Sequence, residues 1–354
     1  MVELLDFLSL PDSVLCSVLC SALTFRDLLK LDSAYCNHHS RRILADLFCS
    51  KQFVFENGVP LFYGSEIYWL QRKNMKASYL VVNSNTNNAE LTRYLRASGG
   101  SVRKFCLHSN TTAQTMATIA LYCRNIAEFH VMESTLTSAF IDIIWNSPSL
   151  RILHCLRVKC AEPNLLAGVS MHKQQHNSVD NGESQVGFPW SATTYSDSLR
   201  TVVLDCCDFT QDDLNAIVTN CPQLRSLSCD HVNIQYLGAI APKLSRLYNL
   251  SIGGNHFVTD ADLLLLVQNI TTLRTLNIKL CRTLTSKSLL HVAEHAGDTI
   301  EVLYANILDP ASAETERILE IFAQKCTKLR YLSINCRDSV LCSGRGTELL
   351  VYGC

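Results

Sequence analysis

Leu199-Arg-Thr-Val202-Val-Leu204-Asp-Cys-Cys207 runs directly into Phe-Thr-Gln-Asp-Asp-Leu214-Asn-Ala-Ile217-Val-Thr-Asn-Cys221-Pro-Gln-Leu224. The first part places Leu199, Val202 and Leu204 on one side of a short strand. The second sets Leu214, Ile217 and Val218 at helical spacing, behind a polar Thr-Gln-Asp-Asp opening suited to a helix N-terminus. Neither half can bury its apolar face alone, so the stretch calls for copies of itself to stack on.

The copies are present. The same phase recurs as Ala77/Leu80/Val82, Val102/Phe105/Leu107, Ile126/Phe129/Val131 and Leu150/Leu153/Cys155 before the quoted stretch. After it come Leu224/Leu227/Cys229, Leu247/Leu250/Ile252, Leu273/Leu276/Ile278, Ile300/Leu303/Ala305 and Leu329/Leu332/Ile334. Successive starts lie 25, 24, 24, 49, 25, 23, 26, 27 and 29 residues apart. All but one of these fall near a repeat period of about 20–29, and the outlier is about two periods. On these residues the chain resembles the leucine-rich repeats of the cysteine-containing subtype. The resemblance implies an α/β solenoid, a horseshoe with parallel strands inside and helices outside, over residues 77–354. An insertion at about 161–198 interrupts it.

Composition excludes several classes. The formal net charge is -1, which gives no reason to expect a nucleic-acid or membrane-surface partner. No stretch reaches the ~18 apolar residues that span a membrane. The apolar run from Val14 to Phe25 lacks a basic preceding region, since Glu3 and Asp6 stand there, and no small-residue cleavage site follows. The expected location is therefore cytoplasmic and/or nuclear. Seventeen cysteines suggest disulfides or zinc, but their placement follows the repeat. Cys123, Cys221 and Cys326 each precede a strand start by three residues, and no C-x-x-C pair occurs. They read as small buried thiols, with no metal site and no cofactor.

The N-terminal residues fall outside the period. Ser9-Leu-Pro11-Asp12 offers a helix start, and Val14, Leu15, Val18, Leu19 and Leu23 share one apolar face. Thr24-Phe-Arg-Asp27 resembles a capping box with Asp in place of Glu, opening a second helix through Leu28, Leu29 and Leu31. A third helix runs from about His38 to Phe48. Read as a helical pattern alone, this module is equally a solenoid cap or a partner-binding unit.

Leu10-Pro11, Val14-Leu15, Val18-Leu19, Asp27-Leu28, Leu31 and Cys36 fall where the F-box family has its signature apolar positions. Tyr35-Cys36-Asn37-His38-His39 stands where that family ends in V-C-R-x-W. The resemblance covers residues 4–48. It implies that Leu10, Pro11, Val14, Leu15, Val18, Leu19, Leu28, Leu31 and Cys36 bind a Skp-type adaptor, and through it a cullin-RING ubiquitin ligase. Residues 49–76, with Phe53, Phe55, Phe62, Tyr63, Tyr68 and Trp69, read as an aromatic junction to the first repeat.

Side chains between the buried leucines of each strand project from the concave face. Among them Arg225, Tyr248, Arg274, Lys279, Tyr304, Arg330 and Tyr331 are the residue types that anchor interfaces, and they are the candidate contacts for a protein substrate. The sequence contains no phosphate-binding loop, nucleophile elbow, zinc-protease helix or kinase set, so no catalytic residue is assigned. The function that the F-box resemblance implies is target recognition for ubiquitination. The alternative is a repeat scaffold or inhibitor with no ligase role.

Overall fold

A computed structural model describes residues 10–34, 38–50, 53–109, 111–137, 140, 143–144, 147–161, 197–232, 234–306 and 313–335. The chain divides into two units, 1–150 and 151–354. Cys36, nearly all of the 161–198 insertion and the tail beyond 335 lie outside the described residues.

The first unit opens with α1 (Asp12–Ser21), α2 (Phe25–Ala34) and α3 (His38–Cys49). Pro11 is the N-cap of α1 and not its first-turn residue, and its carbonyl accepts from the N–H groups of Val14 and Leu15. The Thr24 cap of α2 is as the sequence suggests. The Asp27 N–H donates to Thr24 Oγ1 at 3.2 Å, and the Thr24 hydroxyl donates to Asp27 Oδ2 at 2.6 Å. Leu15, Leu19, Phe25, Leu28, Leu44, Leu47 and Phe48 are the buried side of this module.

Residues 53–77 pack on that side. The Phe25 ring meets Phe55 and Trp69 edge-on, with centroids at 6.2 and 5.6 Å, and Phe48 meets Phe53 at 5.2 Å. Such pairs add ~0.5–1.5 kcal/mol each beyond burial. Trp69, on α4 (Gly64–Arg72), donates its indole N–H to Asp32 Oδ2 at 3.1 Å. Lys73 pairs with the other oxygen of Asp32 at 2.6 Å.

A parallel ladder follows: β1 (Val59–Pro60), β2 (Tyr79–Val82), β3 (Lys104–His108) and β4 (Glu128–Met132). Val59, Leu80, Phe105 and Phe129 are successive register partners, all fully buried. Helices α5 (Asn88–Ser98) and α6 (Ala113–Tyr122) separate the strands.

The second unit repeats the plan with seven parallel strands: β5 (Ile152–Leu156), β6 (Thr201–Asp205), β7 (Ser226–Ser228), β8 (Asn249–Ser251), β9 (Thr275–Asn277), β10 (Val302–Asn306) and β11 (Tyr331–Asn335). Leu153, Val202, Leu227, Leu250, Leu276, Leu303 and Leu332 are partners from strand to strand, so one buried column runs through the unit. At ~1.5–3 kcal/mol for a fully buried aliphatic side chain, this column is a main source of cohesion. The connections are α7 (Gln211–Asn220), a 3₁₀ segment Leu237–Leu244, α8 (Asp260–Asn269), α9 (Ser286–His295) and α10 (Ala313–Lys325). Capping boxes open two of them, Thr210 with Asp213 and Thr259 with Asp262. The polar run at the start of each helix is therefore its N-terminal signal.

Two backbone devices recur at fixed phase. The residue just ahead of each strand offers a carbonyl shared by two N–H groups of the next repeat. Arg200 O takes Arg225 and Ser226, Arg225 O takes Tyr248 and Asn249, and Tyr248 O takes Arg274 and Thr275, all at 2.8–3.2 Å. The second device lies seven residues past the start. Ser109, Glu133, Arg157, Cys206, His231, Gly254 and Leu280 all have positive φ, from 35° to 69°. From this left-handed turn the N–H of Cys206, His231 and Gly254 reaches the carbonyl of Asp230, Gly253 and Lys279 respectively, in the following repeat.

Candidate functional site

On the helical module the candidate adaptor residues separate by exposure. Leu15, Leu19 and Leu28 are fully buried and form the core of the module. Leu10 and Val14 are 38% and 43% exposed, Pro11 is exposed, and Val18 and Leu31 are half-buried. Val14 and Val18, four residues apart, share one side of α1, and the exposed Leu10 and Pro11 stand immediately ahead of its first residue. The sequence pattern could not make this division, because both faces of α1 carry aliphatic residues.

The second candidate surface is the strand face of the second unit. Pairing begins two residues after each repeat start and not one. Arg225, Tyr248, Arg274 and Arg330 therefore lie just ahead of their strands, and the carbonyls of Arg225, Tyr248 and Arg274 belong to the shared ladder. The strand face itself is made by smaller residues that the sequence reading did not select: Ser226, Ser251 and Thr275, beside Ser228, Asn249 and Asn277. A groove of about 290 Å³ lies over them, lined also by Lys279 and Tyr304. The S-x-S, N-x-S and T-x-N patterns at the strand positions are the signal that could have found it.

Asp230 organises the floor of this groove. Its carboxylate accepts from the Ser251 hydroxyl at 2.6 and 2.8 Å, from the Gly253 N–H at 2.6 Å and from the Ser228 hydroxyl at 3.3 Å. Asn277 extends the network, donating from Nδ2 to Ser251 Oγ at 2.8 Å and accepting the Lys279 N–H at 3.1 Å. A Cβ on Gly253 would lie 3.1 Å from both Asp230 Oδ1 and Asn277 Nδ2, so the close approach favours glycine.

Three of the selected residues do meet. The Lys279 ammonium stands 5.2 Å from the centre of the Tyr304 ring, and Tyr304 and Tyr331 lie with centroids 5.1 Å apart. Arg274 pairs with Glu301 at 3.5 Å.

The first unit carries its own polar strand face. Lys104 bonds Glu128 at 2.9 Å and lies 4.9 Å from the Tyr79 ring, while His130 stands 3.6 Å from Glu128. The hydrogen bond from Lys104 holds the Glu128 carboxyl below the usual carboxylate range.

Most of the described thiols lie in the core, with Cys49 and Cys206 exposed, and burial pushes Cys123, Cys221 and Cys326 up to about 12. Cys281 donates to Ile252 O at 3.1 Å, one repeat back. Among the described residues no group of three His, Cys, Asp or Glu is placed to hold a metal ion, and no helix is long and apolar enough to cross a membrane.

Buried leucine columns, shared carbonyls and strand–turn–helix units in parallel register define a leucine-rich-repeat fold. A solved structure shares it. A chain of the crystal structure of the Rad7 and Elc1 complex in yeast matches with TM-score 0.56 at 15% identity, covering 87% of this chain and 77% of that one. The mouse RP105/MD-1 complex follows at TM-score 0.41 and 15% identity, with 77% of this chain and 40% of that chain covered. The TLR13–ssRNA13 complex stands at 0.35 and 15%, with 83% and 33% covered. No family model and no curated protein matches the sequence.

Proposed function

We propose that this chain is the target-recognition subunit of a Skp/cullin/F-box-type ubiquitin ligase. Residues 4–48 hold the adaptor, and the strand face of the repeats holds a target protein. The chain itself performs no chemistry. It raises the effective concentration of a target lysine near a ubiquitin-loaded enzyme.

The observation that carries this reading is the two-sided helix α1. Leu15 and Leu19 are buried, while Val14 leaves apolar surface open on the same helix, next to the exposed Leu10 and Pro11 that lead into it. A helix serving only as a solenoid cap should turn a polar face to solvent. The fold shared with a chain of the yeast Rad7–Elc1 complex gives further support, since that protein was crystallised with a partner.

The test is co-purification with a Skp-type adaptor. The intact chain should form a stoichiometric complex that Val14→Asp abolishes while leaving circular dichroism and melting temperature unchanged. An intact chain that takes no adaptor would leave the protein a plain repeat scaffold.

A further inference from the structure

We infer that the strand-face groove of the second unit takes an extended peptide segment bearing an aspartate or glutamate, whose carboxylate seats on Lys279. This deepens the target-binding reading above and rests on it.

The groove has a cation prepared for a ligand. The Lys279 backbone is fixed on both sides: its N–H donates to Asn277 Oδ1 at 3.1 Å, and its carbonyl accepts from Gly254 at 2.7 Å. Its ammonium lies against the Tyr304 ring and has no ion-pair partner among the described residues. The carboxylate bonded to the groove's serines does not serve as that partner. Asp230 is already taken by Ser228, Ser251 and the Gly253 N–H. A half-buried ammonium beside an aromatic face, with its own carboxylate engaged elsewhere, is complementary to an incoming anion.

The anion is a carboxylate and not a phosphate. A dianionic phosphate is typically recognised by clustered, bidentate arginines. Here one lysine lines the groove and no arginine does. The floor suits a peptide backbone. The side chains of Ser226, Asn249 and Thr275 line the groove and hydrogen-bond to no described residue, so they offer donors and acceptors to main-chain amides. Beside the cation, Tyr304 and Tyr331 present adjoining rings for the apolar part of a neighbouring side chain.

The experiment uses the purified full chain and a fluorescein-labelled library of twelve-residue peptides. Each peptide is made in four forms at its central position: Glu, Gln, Lys and phosphoserine. Binding is read by anisotropy at low and moderate salt. Glu peptides should bind at least ten-fold more tightly than their Gln counterparts. Lys279→Gln should erase that difference, and Lys279→Glu should invert it toward Lys-centred peptides. Circular dichroism checks that both variants fold.

Equal binding of Glu and Gln forms, preference for the phosphoserine form, indifference to Lys279→Glu, or no binding at all would each overturn the inference. A separate arm keeps the two readings apart. Thr275→Trp fills the groove, and its effect is measured on capture of target proteins by the adaptor-bound complex. Loss of capture without any Glu preference would sink the acidic-peptide inference and leave the target-binding surface standing. Capture that survives Thr275→Trp would remove the surface as well.

Discussion

Asp230 and Ser251 lie 21 residues apart in the chain and are joined by two short contacts, 2.6 and 2.8 Å, from one hydroxyl to both carboxylate oxygens. The parallel register of β7 and β8 brings them together, and the Gly253 N–H donates to one of the same carboxylate oxygens. Hydrogen bonds to a charged group contribute ~1.5–3 kcal/mol, and removing the acceptor strands its donors. Asp230→Ala should lower the unfolding free energy by ~2–3 kcal/mol in urea titrations, and Ser251→Ala by ~1 kcal/mol. In a double-mutant cycle the two should couple, because each acts through the other. Additive losses would show that the contact contributes nothing of its own.

Gly254 and Leu280 occupy the same position of successive repeats, both left-handed, at φ 69° and 61°. Leucine pays a Cβ penalty there that glycine does not. The left-handed conformation costs an L-residue ~1–2 kcal/mol, against ~0.5–1 for the extra chain entropy of glycine. Leu280 is 51% exposed, so little burial is lost on replacing it. Leu280→Gly should therefore be neutral or stabilising by up to ~1 kcal/mol. Gly254→Ala should destabilise by ~1–2 kcal/mol, since its Cβ also meets the His231 ring. Denaturant midpoints for the two variants moving in the same direction would contradict this account.

That turn marks where the sequence stops being readable. The leucine triplets are legible because burial imposes one residue class at fixed spacing, and Leu227, Leu250 and Leu276 are buried register partners as their phase implies. The left-handed turn imposes a backbone angle, which Ser109, Glu133, Arg157, Cys206 and His231 all accept without any shared side-chain property. The groove was half legible. Lys279 and Tyr304 stand out by type, whereas Ser226, Ser251 and Thr275 matter through their small size and register, which only pairing reveals. On α1 the pattern fixes a helix but not which aliphatic residues face inward, so Val14 and Leu15 read alike until their exposure separates them.

Glu128 gives a pH dependence of definite sign. Its carboxyl is held below the ordinary 4.5, first by the hydrogen bond from Lys104, with burial opposing and the lysine charge assisting. A depressed folded pKa adds stability that is fully present above the unfolded value and is lost as pH falls through the folded one. The stability difference between the native chain and Glu128→Gln should therefore shrink as pH falls below about 5. Because the pair is partly exposed, salt should weaken the effect. Stability curves that stay parallel down to pH 3 would show that the ion pair has no net influence.

The thiols act at the other end of the scale. Burial raises Cys221 from 9.0 to about 12 and Cys281 to about 11. A raised folded pKa means that the fold favours the neutral thiol, so its contribution is complete below pH 9 and is lost as pH rises toward 12. Cys221→Ala should be less stable than the native chain at pH 8, where a buried sulfur is missing, and the gap should narrow between pH 9 and 11. Reactivity follows from the same geometry, because alkylation requires an accessible thiolate. Brief iodoacetamide treatment at pH 8, mapped by peptide mass spectrometry, should modify the exposed Cys49 and Cys206 before Cys123, Cys155, Cys221 or Cys229, which are buried. Burial, and after it the carboxylate of Asp205, to which Cys206 Sγ donates at 3.4 Å, raise that thiol, so Cys206 should react more slowly than an unhindered thiol. Rapid modification of Cys221 or Cys229 in the folded chain would mean that the repeats open locally on the timescale of labelling, and that the buried thiols are not fixed parts of the core.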